Sequence, residues 1–514
     1  KRAARCDYAL GVQAPWTTHM LSGWKTIETR YYDLPPELLG KWLLLLEERQ
    51  GQAGVATLAD HVAPGTTKVV GKVKFSECIV YPDKAAWAAD EKRHRVPVDS
   101  GYGWKEGKQV RGWVVGDIVA LEPCPGPPLV RMHRSIFQVD TLPTADLTPF
   151  LCGGTLEEKM RVVDMVRAQV ETVGFMRVAW KDFPEALVAD VHERLRHFFA
   201  LPPEEKKKSS KEAVQKKTKS ATSTGFRDFD STFYNRNRQS WSCIQPSYAG
   251  KAEGYYTGEA GQKYFALPPD PQVVWPAEGA VPGFQKSVCE YYAMVERVGD
   301  ALFRIFALAL DKPEDFFLKY ADKHVSSLNA YSFELGKGPD VLAAHGDITA
   351  FTVITYDNAA QAAGSACLEM LDVPEQRWRT VEAMPNTCTV NIGQIMERWS
   401  GGRFKATMHR VTSPKNMPAG ATRQSLVFFY ATNHDVVLEP LCDCVVPVKY
   451  EPEAYPDYVG KRIGGFYQKD FDEESAWEVY NADILYAVPG HLANTIRSTW
   501  RGFNAENDAR LGGR

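Results

Sequence analysis

His345-Gly346-Asp347 is the stretch of this chain whose residue types and spacing could do chemistry. Two imidazoles and one carboxylate hold a divalent metal on one face and leave the other open, an arrangement that suits Fe(II) and O2. His345 and Asp347 supply two of these ligands, and alternation along a strand predicts that both point to the same side. A third ligand must come from far along the chain. His409 fits, because it lies in the strand-like run Phe404 to Val411 after a basic, glycine-containing turn, Gly401-Gly402-Arg403. His-x-Asp alone arises by chance in surface turns. Here an alternating strand, Ala350 to Tyr356, follows directly, and Arg423-Gln424-Ser425 sits on a later strand-like run. The expected metal ligands and catalytic residues are therefore His345, Asp347 and His409.

These pieces resemble the isopenicillin-N-synthase-like branch of the non-haem Fe(II) and 2-oxoglutarate oxygenases. The resemblance also rests on Val390-Asn391-Ile392-Gly393-Gln394, on Arg398-Trp399-Ser400 and on Phe404 to Val411. It implies that Arg423 and Ser425 bind the co-substrate, together with Tyr331 and Asn329 of the strand Ser327 to Ser332. The loop between His409 and Arg423 carries extra residues, Pro414 to Gly420, relative to the usual pattern.

The elements that must position such a site need a large chain. At 514 residues, two or three domains are expected. A hydrophobic content of 44% and a charged content of 24% are ordinary for a globular protein, and a net charge of −3 excludes a global basic field. Nucleic-acid binding would have to use local patches. The ten cysteines contain no Cys-x-x-Cys pair, and Cys442-Asp443-Cys444 suits no common zinc site, so reduced thiols are expected. The apolar run Trp42 to Leu46 is far too short to cross a bilayer, and no membrane association is expected. No secretory signal is visible, although the chain starts at Lys1 rather than Met.

The fold expected is α+β: a double-stranded β-helix, or jelly roll, with flanking helices and a small β-barrel before it. Residues 1–145 form that barrel, with strand-like runs at 7–12, 41–46, 69–75 and 116–121. Residues 141–149 have linker composition. Residues 150–320 are mostly helical, and a long helix with Val288, Tyr292, Val295, Gly299 and Leu302 on one face backs the jelly roll. Residues 321–445 are the jelly roll, and 446–514 form a C-terminal extension with a weak helix at 475–480 that could pack across the barrel.

The first unit is similar to the ASCH domain, a relative of the PUA-like barrels, on Pro15-Trp16, Gly23, Lys25, Glu28 and Arg30. That resemblance implies nucleic-acid binding in a cleft lined by Lys25, Glu28 and Arg30; the alternative is a surface ion-pair group on an inert barrel. A second stretch, Phe233 to Trp241, interleaves aromatics with Arg236 and Arg238 after a lysine-rich run at 206–219. Such interleaving suits a phosphate backbone with an unstacked base, and it equally suits a loop packing its aromatics on the barrel mouth. Arg236, Arg238, Trp241, Lys25 and Arg30 are the candidate DNA contacts.

An iron oxygenase joined to a nucleic-acid-type barrel resembles the algal TET-homologue oxygenases. That resemblance implies a nuclear enzyme acting on the C5-methyl of 5-methylcytosine in DNA, with ascorbate as co-substrate and glyceryl donor. A base in a duplex must be flipped out for such chemistry. Two alternatives stand beside it: a 2-oxoglutarate-dependent hydroxylase of a nucleobase or small molecule, and a non-catalytic nucleic-acid reader. A monomer is expected.

Overall fold

The computed structural model describes residues 6–498 apart from 50–57, 59–60, 63–65, 99, 128, 140–141, 211–224, 230–237, 245–273, 325, 335–339, 357–367, 373–376, 413–421, 446–449, 465–472, 488–489, 491–492 and 495. The chain divides into two compact units, residues 1–141 and 142–514.

The first unit is built on eight strands: β1 (Tyr8–Gln13), β2 (Ile27–Arg30), β3 (Trp42–Glu48), β4 (His61–Val62), β5 (Lys68–Val80), β6 (Arg111–Pro125), β7 (Leu129–His133) and β8 (Ile136–Val139). They form one sheet in the order β2-β6-β5-β3-β1-β8-β7-β4, with no pairing between the edge strands β2 and β4 among the described residues. The sequence suggests a small β-barrel; the pairing of the described strands does not close one. Alternation along β1 and β3 buries Leu10, Val12, Leu43 and Leu45 with Met20, Phe75 and Trp113.

In the second unit β9 (Thr144–Asp146) pairs in parallel with β10 (Phe175–Ala179). Residues expected to be linker are thus an edge strand of the second unit, and the boundary falls at 141 rather than 145. Composition misleads here because Pro143 and Pro149 flank the strand without entering it. The remaining strands are β11 (Gly225–Phe229), β12 (Arg238–Ile244), β13 (Ser327–Glu334), β14 (Asp340–His345), β15 (Phe351–Tyr356), β16 (Leu368–Asp372), β17 (Arg377–Thr380), β18 (Cys388–Ile392), β19 (His409–Thr412) and β20 (Thr422–Tyr430). They make a large sheet, β11-β12-β13-β20-β15-β18-β10-β9, and a small one, β14-β19-β16-β17. Two sheets of this kind, antiparallel apart from the β9–β10 edge pair, are the double-stranded β-helix expected from the sequence.

Helices cover the large sheet. The helix Leu156–Val170 starts with a capping box, in which Thr155 and Glu158 satisfy each other's free N–H groups. The long helix Phe284–Ala309 presents the predicted apolar face, with Tyr292 against Phe428 at 4.9 Å and Phe303 against Phe351 at 5.0 Å. Gly299 is required at its crossing, because a Cβ there would lie 1.8 Å from the Tyr430 ring. The C-terminal extension adds the helices Tyr455–Gly464, Glu473–Tyr480 and Ala482–Ala487. Among the described residues no helix is long and apolar enough to cross a membrane.

Candidate metal centre

His345 ends β14 and His409 begins β19, and the two are cross-strand partners in the small sheet. Their rings lie 4.4 Å apart between centroids. The expectation that Asp347 shares the strand with His345 does not hold, since β14 stops at His345 and Asp347 lies two residues beyond it. A turn at Gly346 brings it back. The Gly346 N–H donates to Asn481 Oδ1 at 2.8 Å, its carbonyl accepts from Gln394 Nε2 at 3.1 Å, and the side chain of Ile484 fills the space a Cβ would need. Glycine is the residue that this packing permits.

The three side chains offer ligand atoms that all lie within 4.8 Å of one another. Asp347 Oδ1 is 3.7 Å from Nε2 of each histidine. Its other oxygen, Oδ2, accepts from Thr352 Oγ1 and from Asn391 Nδ2, so one oxygen is anchored and the other faces the imidazoles. Each histidine is oriented through Nδ1, which faces the carbonyl of Ala343 at 2.8 Å or of Thr407 at 3.1 Å. A proton on Nδ1 leaves the Nε2 lone pair for a metal, the usual way an outer partner selects the tautomer. Burial by itself would raise the Asp347 carboxyl. The nearby His409 and His345, with the bonds from Thr352 and Asn391, outweigh burial and hold it below the ordinary carboxylate range. This donor set fits Fe(II): two neutral imidazoles, one ionised carboxylate and no fourth His, Cys, Asp or Glu ligand among the described residues.

Beside this centre, β13 and β20 run antiparallel with Tyr331 opposite Ser425 and Phe333 opposite Arg423. Directly opposed residues share a face, and so do residues two apart, so Arg423, Ser425, Tyr331, Phe333 and Asn329 all project from one side of the sheet. Arg423 is 5% exposed, and its guanidinium stacks over Tyr356 at 5.2 Å and Phe333 at 5.9 Å. It makes no ion pair with a carboxylate among the described residues. Asn329 turns its amide to Ser327 Oγ at 3.1 Å.

The candidate DNA contacts fare differently. Trp241 is 1% exposed, sits in the core against Phe284 and donates its indole N–H to the Val274 carbonyl at 2.9 Å. It is a packing residue, and the alternative reading of its stretch is the better one there. Arg238 opens β12, but its side chain lies outside the described residues, as does Arg236. Lys25 is 2% exposed, donates to the His94 carbonyl at 2.6 Å and pairs with Glu28 at 3.5 Å. Glu28 also pairs with Arg30 at 3.0 Å, and Arg30 donates to the Gly11 carbonyl. Lys25 is therefore no surface phosphate contact. The group is not an exposed ion-pair cluster: with Trp16, Tyr31 and Tyr102 it lines a cavity of about 240 Å³.

Sequence reasoning missed the contacts of Thr352 and Gln394 and the place of Tyr480. Gln394, like Asn391, stands in a motif that carries the family resemblance, without a task of its own being legible there. Nothing in the spacing pointed to Tyr480, whose ring lies 6.5 Å from His345.

Comparison with known proteins agrees with this geometry. Residues 317–432 match the 2OG-Fe(II) oxygenase superfamily, and residues 142–243 match the N-terminal region named for the non-haem dioxygenase of morphine synthesis. A 2-oxoglutarate-Fe(II) type oxidoreductase, hxnY, of Emericella nidulans is 27% identical, over 70% of this chain and 97% of its own. The clavatol oxidase claD of Penicillium crustosum is 26% identical, over 58% of this chain and 88% of its own. A full-length Neurospora crassa protein, crystallised in complex with α-ketoglutarate and thymine, shares the fold at a TM-score of 0.52, with 18% identity, covering 63% of this chain and 97% of that one. The matched segments, 142–243 and 317–432, and the converged triad together support a non-haem Fe(II) dioxygenase similar to the 2OG-Fe(II) oxygenase superfamily.

Proposed function

We propose that the protein is a 2-oxoglutarate-dependent hydroxylase of a small molecule or free nucleobase. Arg423 is the observation that carries this reading. A buried cation with no carboxylate partner among the described residues is costly unless a ligand brings the anion. Arg423 presents a planar fork, and the Ser425 hydroxyl shares its face of the sheet. These groups suit the far carboxylate of 2-oxoglutarate, with the keto-acid end directed at the metal.

His345, Asp347 and His409 would hold Fe(II), which when bound supplies O2 activation and hydrogen abstraction. The balanced reaction converts R–H, 2-oxoglutarate and O2 to R–OH, succinate and CO2. Asn391 and Thr352 anchor one oxygen of Asp347 and leave the other directed at the two histidines. A free organic compound as substrate, rather than a polymer, agrees with relatives such as the clavatol oxidase of Penicillium crustosum.

The finer expectation, ascorbate-dependent glyceryl transfer to 5-methylcytosine in nuclear DNA, asks the same triad for a co-substrate without a far carboxylate. The cavity holding Lys25, Glu28 and Arg30 is the feature that speaks for a base-binding first unit. One experiment separates the two. The protein is loaded with Fe(II) and supplied in parallel with carbon-labelled 2-oxoglutarate and carbon-labelled ascorbate, with thymine and methylated DNA as candidate acceptors. Labelled succinate formed in an iron-dependent reaction supports the hydroxylase. Ascorbate carbon in the DNA, without succinate, overturns it.

A further inference from the structure

The C-terminal extension reaches the metal centre. Trp477 Nε1 donates to the Ala344 carbonyl at 2.8 Å, and Asn481 Oδ1 receives the Gly346 N–H at 2.8 Å. Gln394 Nε2 bridges the carbonyls of Gly346 and Tyr480, at 3.1 and 3.0 Å. With Ile484 seated against Gly346, residues 477–484 grip the turn that carries His345 and Asp347. That segment is itself anchored. Asp483 accepts from Arg398 Nη2 at 3.3 Å and from Arg462 Nη2 at 3.0 Å, and all three side chains are buried. The Arg462 guanidinium stacks on Tyr458 at 3.6 Å.

Tyr480 stands at the end of the helix Glu473–Tyr480, inside this grip. Its ring neighbours His345, and its phenol is close enough to Asp347 and to Tyr331 to feel both. One of those residues is a metal ligand and the other lies across from Ser425 on the co-substrate face. Tyr480 therefore borders the space that a bound 2-oxoglutarate spans. The phenol O–H is an ordinary hydrogen-bond donor.

We propose that Tyr480 is a co-substrate-binding residue contributed by the C-terminal extension, donating a hydrogen bond to the 2-oxoglutarate held between the triad and Arg423. The proposal rests on the 2-oxoglutarate reading given above. It also assigns the extension a role: the segment that grips the metal-ligand turn delivers the donor to the same site.

The test is an anaerobic titration of the full chain, first with Fe(II) and then with 2-oxoglutarate, following the absorption of the iron–keto-acid complex. In Tyr480→Phe the thermal midpoint and the Fe(II) affinity stay at wild-type values, while the dissociation constant for 2-oxoglutarate rises about 10-fold or more, as losing one hydrogen bond to a charged group requires. Asn481→Ala serves as the contrast: it frees the Gly346 turn and lowers the Fe(II) affinity itself. An unchanged 2-oxoglutarate constant in Tyr480→Phe overturns the proposal, as does a loss of Fe(II) affinity in that variant equal to the Asn481→Ala loss. Failure of the wild-type, iron-loaded protein to bind 2-oxoglutarate overturns the co-substrate reading itself, and that result is seen before any variant is compared.

Discussion

Two clusters of buried charge, one in each unit, contrast in how they are compensated. In the first unit Lys25 is neutralised by Glu28, which also pairs with Arg30, and the remaining donors reach the carbonyls of His94 and Gly11. In the second unit Arg423 is also deeply buried yet faces two aromatic rings and no described carboxylate. The triad is open in the same sense, with one Asp347 oxygen and two Nε2 atoms converging on a common point. A cluster whose cations share a carboxylate and whose other donors reach carbonyls can stand without a ligand. One that converges three donor atoms on a common point beside a cation with no described carboxylate is built around what it binds.

The contrast can be broken from either side. The largest effect is expected at the triad. Asp347→Ala removes one of three ligands, and iron-dependent succinate formation should fall below detection while circular dichroism and the thermal midpoint show an intact fold. Retained turnover in the iron-loaded variant would falsify the assignment of the metal centre. In the first unit, Glu28→Ala should leave Lys25 buried beside Arg30 without its carboxylate. A loss of about 3–5 kcal/mol in the unfolding of that unit is expected by chemical denaturation, with the 2-oxoglutarate affinity unchanged. A near-neutral result there would mean that the cluster is not internally compensated.

Arg423→Ala comes next. Losing a two-pronged, charge-assisted contact should raise the 2-oxoglutarate dissociation constant about 100-fold, and Arg423→Lys should recover only part, because an ammonium lacks the planar fork. Equal performance of Lys and Arg would instead favour a co-substrate held by charge alone, as ascorbate would be. The smallest effect concerns Glu397, which is 2% exposed and whose carboxyl is pushed well above its ordinary range, first by burial. The folded protein then keeps a proton that the unfolded chain releases above about pH 4.3, so stability falls as pH rises from there toward the folded-state value. Glu397→Gln carries no titrating proton. It should flatten the slope and be more stable than wild type by about 1 kcal/mol at alkaline pH, read from denaturation midpoints across pH.

Much of the metal site is legible in the sequence. His345, Asp347 and His409 are few, chemically specific and set among strand-like runs, so type and spacing sufficed to bring them together on paper. Tyr331, Arg423 and Ser425 were marked by the family resemblance rather than by spacing, and the pairing of β13 with β20 then puts them on one face of the sheet. The DNA candidates show the limit. Trp241 and Lys25 look like binding residues in one dimension because aromatic and basic types serve both cores and surfaces, and only burial tells which.

What the sequence determined by itself was the chemistry available: a 2-His-1-carboxylate set, an Arg-x-Ser strand and the alternation that makes two sheets of a jelly roll. Residue type and strand alternation carry these, although the third ligand, His409, stands far from the other two along the chain. Tertiary structure decided the rest. Asp347 reaches the histidines through a turn held by Gln394, Asn481 and Ile484, the last two far along the chain. Tyr480 enters the site because Asp483 meets Arg398 and Arg462 in the interior. Such contacts join segments tens of residues apart by shape and charge complementarity, and no periodicity in the chain records them.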